Sequence, residues 1–126
     1  MATTPDAGAI LVAEDDPTTG ELFTLVLTDA GYRVRVAATG PQALALARAA
    51  PPRLLLLDVR LPGLDGVAVY RRLRADARTR DIPVLFVTAT GGDLPDDCRH
   101  EELLAKPFRL DALLAAVRRH ATPAPS

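Results

Sequence analysis

Four apolar runs in this chain each end in residues able to do chemistry. Ile10-Leu11-Val12-Ala13 is followed by Glu14-Asp15-Asp16, Leu54-Leu55-Leu56-Leu57 by Asp58, Val84-Leu85-Phe86-Val87 by Thr88, and Leu103-Leu104-Ala105 by Lys106-Pro107. If the runs are parallel strands of one sheet, the four segments meet at its carboxyl edge, where open α/β folds bind ligands. Carboxylates, a hydroxyl and an ammonium then share one crevice. Two carboxylates about 5 Å apart repel by roughly 3 kcal/mol at an effective dielectric near 20. A hard divalent cation removes that repulsion, and Mg²⁺ in particular takes a few carboxylate oxygens while keeping other positions for water and phosphate oxygens. The expected chemistry is therefore a divalent cation beside a phosphoryl group. Taken singly, each residue has a plainer role: an Asp at a strand end caps a turn or helix, acids favour a helix N-terminus, and a Lys before Pro lies on the surface. Their appearance in order after successive strands favours the shared site.

The elements that would position them alternate strand and helix, which predicts βα units around a parallel sheet. The first strand is expected at about 9–13. Pro17 suits the first turn of a helix that runs to about Ala30, with Leu22, Phe23, Val26, Leu27 and Ala30 inward and Gly31 as the residue after the cap. Arg33-Val34-Arg35-Val36 alternates with period two and so suits a sheet edge. A second helix is expected over about 40–50, stopped by Pro51-Pro52. Leu54–Leu57 does not alternate, as befits a central strand covered on both faces. Asp65 can cap a third helix that turns Val69 and Leu73 inward and leaves Arg71, Arg72 and Arg74, with Arg78 and Arg80 beyond it, solvated. Strand four falls at 83–87, and a last helix at about 109–120 should bury Leu110, Leu113, Leu114 and Val117. Residues 1–8 and 121–126 are expected to be flexible ends flanking one domain at 9–120, the latter a tail or the start of a linker.

Composition excludes several classes. With 126 residues the chain can fold as one domain, burying roughly two thirds of its unfolded surface. Acidic and basic residues number 16 and 15, so bulk charge favours neither nucleic acid nor an anionic membrane. Cys98 is the sole cysteine, which excludes an internal disulfide and fits a reducing compartment. No apolar stretch approaches the roughly 20 residues of a membrane span, and Met1–Gly8 has no signal-peptide pattern, so a cytoplasmic protein is expected.

Over about residues 8–120 the sequence resembles the receiver domain of two-component response regulators. Ile-Leu-Val-Ala-Glu-Asp-Asp-Pro at 10–17 is similar to that family's first strand and acidic pair, Asp58-Val59-Arg60-Leu61-Pro62-Gly63-Leu64-Asp65-Gly66 to its phosphoacceptor loop, and Lys106-Pro107-Phe108 to its lysine motif. The resemblance implies a flavodoxin-like, doubly wound (βα)5 fold with strand order 2-1-3-4-5. It implies that Asp58 accepts a phosphoryl group from a histidine kinase or a histidine phosphotransfer protein, so that the domain catalyses its own modification. It further implies that Asp15, Asp58 and the Arg60 carbonyl ligate Mg²⁺ with Glu14 acting through a metal-bound water, that Thr88 and Lys106 hold phosphoryl oxygens, that Arg60 and Thr90 tune dephosphorylation, and that the Lys106–Pro107 peptide is cis. A monomer or weak homodimer with an unassigned downstream protein partner is expected.

Two departures stand out. The position three residues before the lysine, aromatic or hydroxylated in most relatives, is Leu103, so ring rotation cannot be the readout. Thr88 to Lys106 is short by about one helical turn and holds Gly91-Gly92 and Leu94-Pro95, so helix four should be short or irregular, with few buried contacts across about 89–102. Cys98, His100 and His120 carry no expected role. Two rivals remain: a hydrolase passing through an aspartyl phosphate, which wants an acid where Arg60 stands, and an interaction module that is never phosphorylated, which has no use for the full set Glu14, Asp15, Asp58, Thr88 and Lys106.

Overall fold

The computed structural model describes residues 8–89, 94–98 and 101–120. The chain runs through β1 (Ile10–Ala13), α1 (Pro17–Asp29), β2 (Val34–Ala37), α2 (Gly40–Ala49), β3 (Leu54–Asp58), α3 (Gly66–Arg74), β4 (Val84–Thr88), a 3₁₀ turn (Asp96–Cys98), β5 (Glu102–Ala105) and α4 (Leu110–His120). All strand pairs are parallel and the order is β2-β1-β3-β4-β5, the expected 2-1-3-4-5 arrangement.

Period-two alternation sorts the strand side chains into two cores. On one face Leu11, Leu55, Leu57, Val84 and Phe86 pack with Ala43 and Leu44 of α2 and Val69, Tyr70 and Leu73 of α3. On the other, Ile10, Val12, Leu54, Leu56, Leu85 and Val87 pack with Phe23 and Leu27 of α1 and Leu113 and Val117 of α4. β1, β3 and β4 are buried throughout, which explains their unbroken apolar runs, whereas the edge strands β2 and β5 are only partly covered.

The helices start where side chains can satisfy their free N–H groups. Asp16 accepts from the Thr19 amide at 3.2 Å, with Pro17 in the first turn of α1. Thr39 accepts from the Gln42 amide at 3.1 Å while the Gln42 side chain accepts from Ala38 N–H at 2.9 Å. Asp65 accepts from the Ala68 amide at 2.9 Å. Gly31, with φ 99°, closes α1 in a backbone region that suits glycine.

Two helical stripes are rotated from their expected positions. In α1, Phe23 and Leu27 are buried, but Leu22 is 41% exposed and Ala30 is also exposed. The helix turns its Gly20 side toward β2, where a Cβ would stand 3.6 Å from the Val36 side chain, and Phe23 stacks on Phe108 at 5.3 Å. In α4, Leu113 and Val117 are buried and Leu114 is partly so, while Leu110 is 45% exposed because it opens the helix at the rim of the sheet. Between β4 and β5, the expected short element is the 3₁₀ turn Asp96–Cys98. Leu94 before the turn and Cys98 at its end are buried in the α2/α3 core, more contact than the sequence suggested, while Thr90, Gly91, Gly92 and His100 lie outside the described residues.

Candidate functional site

The four sequence-predicted segments meet at the carboxyl edge of the sheet. Asp58 is the last residue of β3 and Thr88 the last of β4, whereas Glu14 follows β1 and Lys106 follows β5 directly. Backbone bonds lock these ends together: Glu14 N–H donates to Ala37 O at 2.9 Å, Val59 N–H to Val87 O at 3.0 Å, and Lys106 N–H to Thr88 O at 2.7 Å. The site residues are thus fixed to the ends of hydrogen-bonded strands.

Glu14, Asp15 and Asp58 each bring a carboxylate oxygen to within 4.8 Å of the others. Glu14 and Asp58 are buried, whereas Asp15 faces solvent. Lys106 Nζ closes the pocket, donating to Glu14 Oε1 at 2.6 Å and to Asp58 Oδ2 at 3.0 Å. The other Asp58 oxygen accepts from the Arg60 amide at 2.9 Å, and Glu14 Oε2 accepts from the Asp16 amide at 3.2 Å. Thr88 is buried beside them at the end of β4.

Electrostatics follow from this packing. Burial pushes the Glu14 carboxyl above its ordinary pKa, against the opposing pull of the Lys106 ammonium. Burial acts to lower the Lys106 pKa, but the hydrogen bonds it donates to Glu14 and Asp58 outweigh it and hold the group above its usual range, so the ammonium stays charged. Asp16, the third acid of the segment, is spent differently: its carboxylate accepts from Thr19 Oγ1 and N–H, which lowers its pKa, and it caps α1. The remaining donor set is all carboxylate oxygen, partly open to solvent on the Asp15 side, and it could hold a hard divalent cation.

The loop after Asp58 turns tightly into α3. Gly66 N–H donates to Val59 O at 2.8 Å, and a Cβ at Gly66 would come within 2.2 Å of the Asp58 carbonyl oxygen. Only glycine admits this approach, so α3 begins directly against the backbone of Asp58. The Lys106–Pro107 peptide is cis, as expected. Phe108, which carried no role of its own in the sequence, anchors the loop after Lys106 through its stack on Phe23 of α1. Its partner lies far away in the chain, so no local pattern could have announced it.

The Arg series departs in part from a solvated face. Arg74 is partly buried, lies 4.8 Å over the Tyr70 ring and donates to Glu101 at 2.9 Å, and Arg71 forms an ion pair with Asp97 at 2.9 Å. Cys98 is a buried free thiol, and His120 contacts Glu102 at 2.7 Å.

With this geometry in hand, the chain can be set beside known proteins. Residues 10–118 match the family model of the response regulator receiver domain. The chain is 43% identical over 114 residues to the DNA-binding dual master transcriptional regulator RpaA of Synechocystis, covering 86% of this chain and 47% of that protein. It spans about half the length of the curated relatives it matches. A crystal structure of the receiver domain of the Pseudomonas aeruginosa sensor histidine kinase PA1611, which holds a magnesium ion in its active-site cleft, is 31% identical with a TM-score of 0.79 and covers 91% of this chain and 98% of that one. The receiver domain of a signal transduction histidine kinase from Syntrophus aciditrophicus is 29% identical with a TM-score of 0.81, covering 95% and 96%. The sheet order, the acidic cluster and the matched span agree, and the chain belongs to the response regulator receiver domain family.

Proposed function

We propose that Asp58 is the phosphoacceptor of this receiver domain and that a Mg²⁺ ion held by Asp15, Asp58 and the Arg60 carbonyl, with Glu14 alongside, is required for the reaction. The observation that carries this reading is the convergence of Glu14, Asp15 and Asp58 within 4.8 Å under the Lys106 ammonium. Receiver domains are signalling domains that interact with histidine kinases, and here the donor is a phosphohistidine of a histidine kinase or phosphotransfer protein.

Chemically, an Asp58 carboxylate oxygen forms a bond to phosphorus as the phosphorus–nitrogen bond of the donor breaks, and the leaving imidazole takes up a proton. Asp58 enters this step already oriented by the Arg60 amide and Lys106. Lys106 then exchanges its carboxylate contact for a phosphoryl oxygen, and the Thr88 hydroxyl holds another. When bound, the cation supplies charge neutralisation for the equatorial oxygens. The acyl phosphate switches binding of a protein partner, in a cytoplasmic setting, with the chain acting as a monomer or weak homodimer and contacting no nucleic acid itself.

The test is incubation with phosphoramidate and Mg²⁺ followed by intact mass. One phosphoryl adduct is expected, absent in Asp58→Asn and in excess chelator. An adduct of equal yield in either control overturns the assignment.

A further inference from the structure

Strand β5 carries Lys106 at one end and, immediately before it, Glu101 at the other, roughly 16 Å away at about 3.3 Å per residue. Glu101 is held by α3: Tyr70 donates its hydroxyl to Glu101 Oε2 at 2.7 Å and Arg74 donates to the same oxygen at 2.9 Å. The Tyr70 ring in turn packs against Phe86 of β4 at 5.2 Å, two residues before Thr88, and α3 begins against the Asp58 carbonyl at Gly66. One short helix therefore touches the backbone of the acceptor, the strand of Thr88 and the far end of the strand of Lys106.

β5 is an edge strand of the sheet. It pairs on one side only, with β4, and none of its residues is fully buried. A stiff strand held at Glu101 and paired at Lys106 transmits displacement from one end to the other. We propose that Tyr70 and Glu101 are positioning residues: by fastening the start of β5 to α3 they favour the Lys106 position that pairs with Glu14 and Asp58 over the position that closes on a phosphoryl group at Asp58. The inference rests on the phosphoacceptor reading of Asp58. It replaces the readout that Leu103 cannot provide, because the ring that responds stands on α3. The Tyr70 hydroxyl is well shielded: burial and the Glu101 carboxylate push its pKa up to about 12, so the contact is intact at neutral pH.

Coupling of this kind is reciprocal. The chain has two tyrosines and no tryptophan, so the emission lost in Tyr70→Phe reports Tyr70, and a carboxylate-bonded phenol emits weakly. Mg²⁺ with beryllium fluoride, a phosphoryl mimic, should raise the Tyr70 emission as the contact with Glu101 loosens. Tyr70→Phe and Glu101→Gln should each bind the mimic about fivefold tighter or more, with Mg²⁺ affinity unchanged. A merely structural role for Tyr70 would lower stability without tightening the mimic. Unchanged Tyr70 emission, or mimic affinity in both variants equal to or weaker than in the parent chain, overturns the positioning role while leaving the Asp58 assignment intact. Failure of the parent chain to bind the mimic at all overturns both.

Discussion

β3 and β5 both deliver a charged residue to the crevice, but they do so from different mechanical circumstances. β3 is paired on both edges and buried along its whole length, so Asp58 is presented by a segment that has no local freedom. β5 is paired once, and its side chains are partly exposed, so Lys106 is presented by an edge strand with less cover than β3. Segments with few buried contacts open at low free energy. Under the phosphoacceptor reading proposed above, Asp58 would be the fixed partner and Lys106 the adjustable one, the division a switch needs.

The comparison breaks first in the core. Leu56 and Leu104 face the same α1/α4 core, one fully buried and one partly. Leu56→Ala should cost about 2–5 kcal/mol of unfolding free energy. Leu104→Ala should cost roughly half as much, since less apolar area leaves water there. Urea titration of the two variants measures both, and equal losses would mean that β5 is as tightly held as β3. A second perturbation removes the charge that joins the strands. Lys106→Ala leaves the buried Glu14 and Asp58 carboxylates without their shared cation, costing roughly 3 kcal/mol in Mg²⁺-free buffer. Thermal melts should show that loss, with Mg²⁺ still binding and recovering it, while the beryllium fluoride response disappears. The smallest effect tests the far end of β5. Tyr70 titrates at about 12 instead of 10.0, so its protonated form favours the folded chain, and that contribution is complete below pH 10 and lost as pH rises through 12. Tyr70→Phe should flatten this alkaline decline in stability, measured by urea titration at stepped pH.

Much of this was readable in the chain, for physical reasons that differ by residue. Glu14, Asp58, Thr88 and Lys106 are legible because each follows an apolar run, so that strand and chemistry are adjacent in sequence. The order of the sheet came from the family resemblance, since periodicity does not reveal which strands pair. Leu22 and Leu110 were misplaced because a helical stripe is wide and its margin is set by what the helix meets: the rotation of α1 is governed by Gly20 against Val36 and Phe23 against Phe108. The contacts of Tyr70 and Arg74 with Glu101 were invisible because they join residues 31 and 27 positions apart, and a run of arginines is most simply a solvated face.

Glu101 and Glu102 point to opposite faces of the sheet, the first to Tyr70 and Arg74 of α3, the second to Arg119 and His120 of α4. A one-residue slip of β5 against β4 would place Glu101 where Glu102 now meets α4, so the charges at this end tolerate the wrong frame. The other end does not. The same slip would carry Ala105 to the crevice and withdraw Lys106 from Glu14 and Asp58, stranding two buried carboxylates. Lys106 therefore also specifies the register of the last strand, through the two ion pairs that only one alignment of β5 allows.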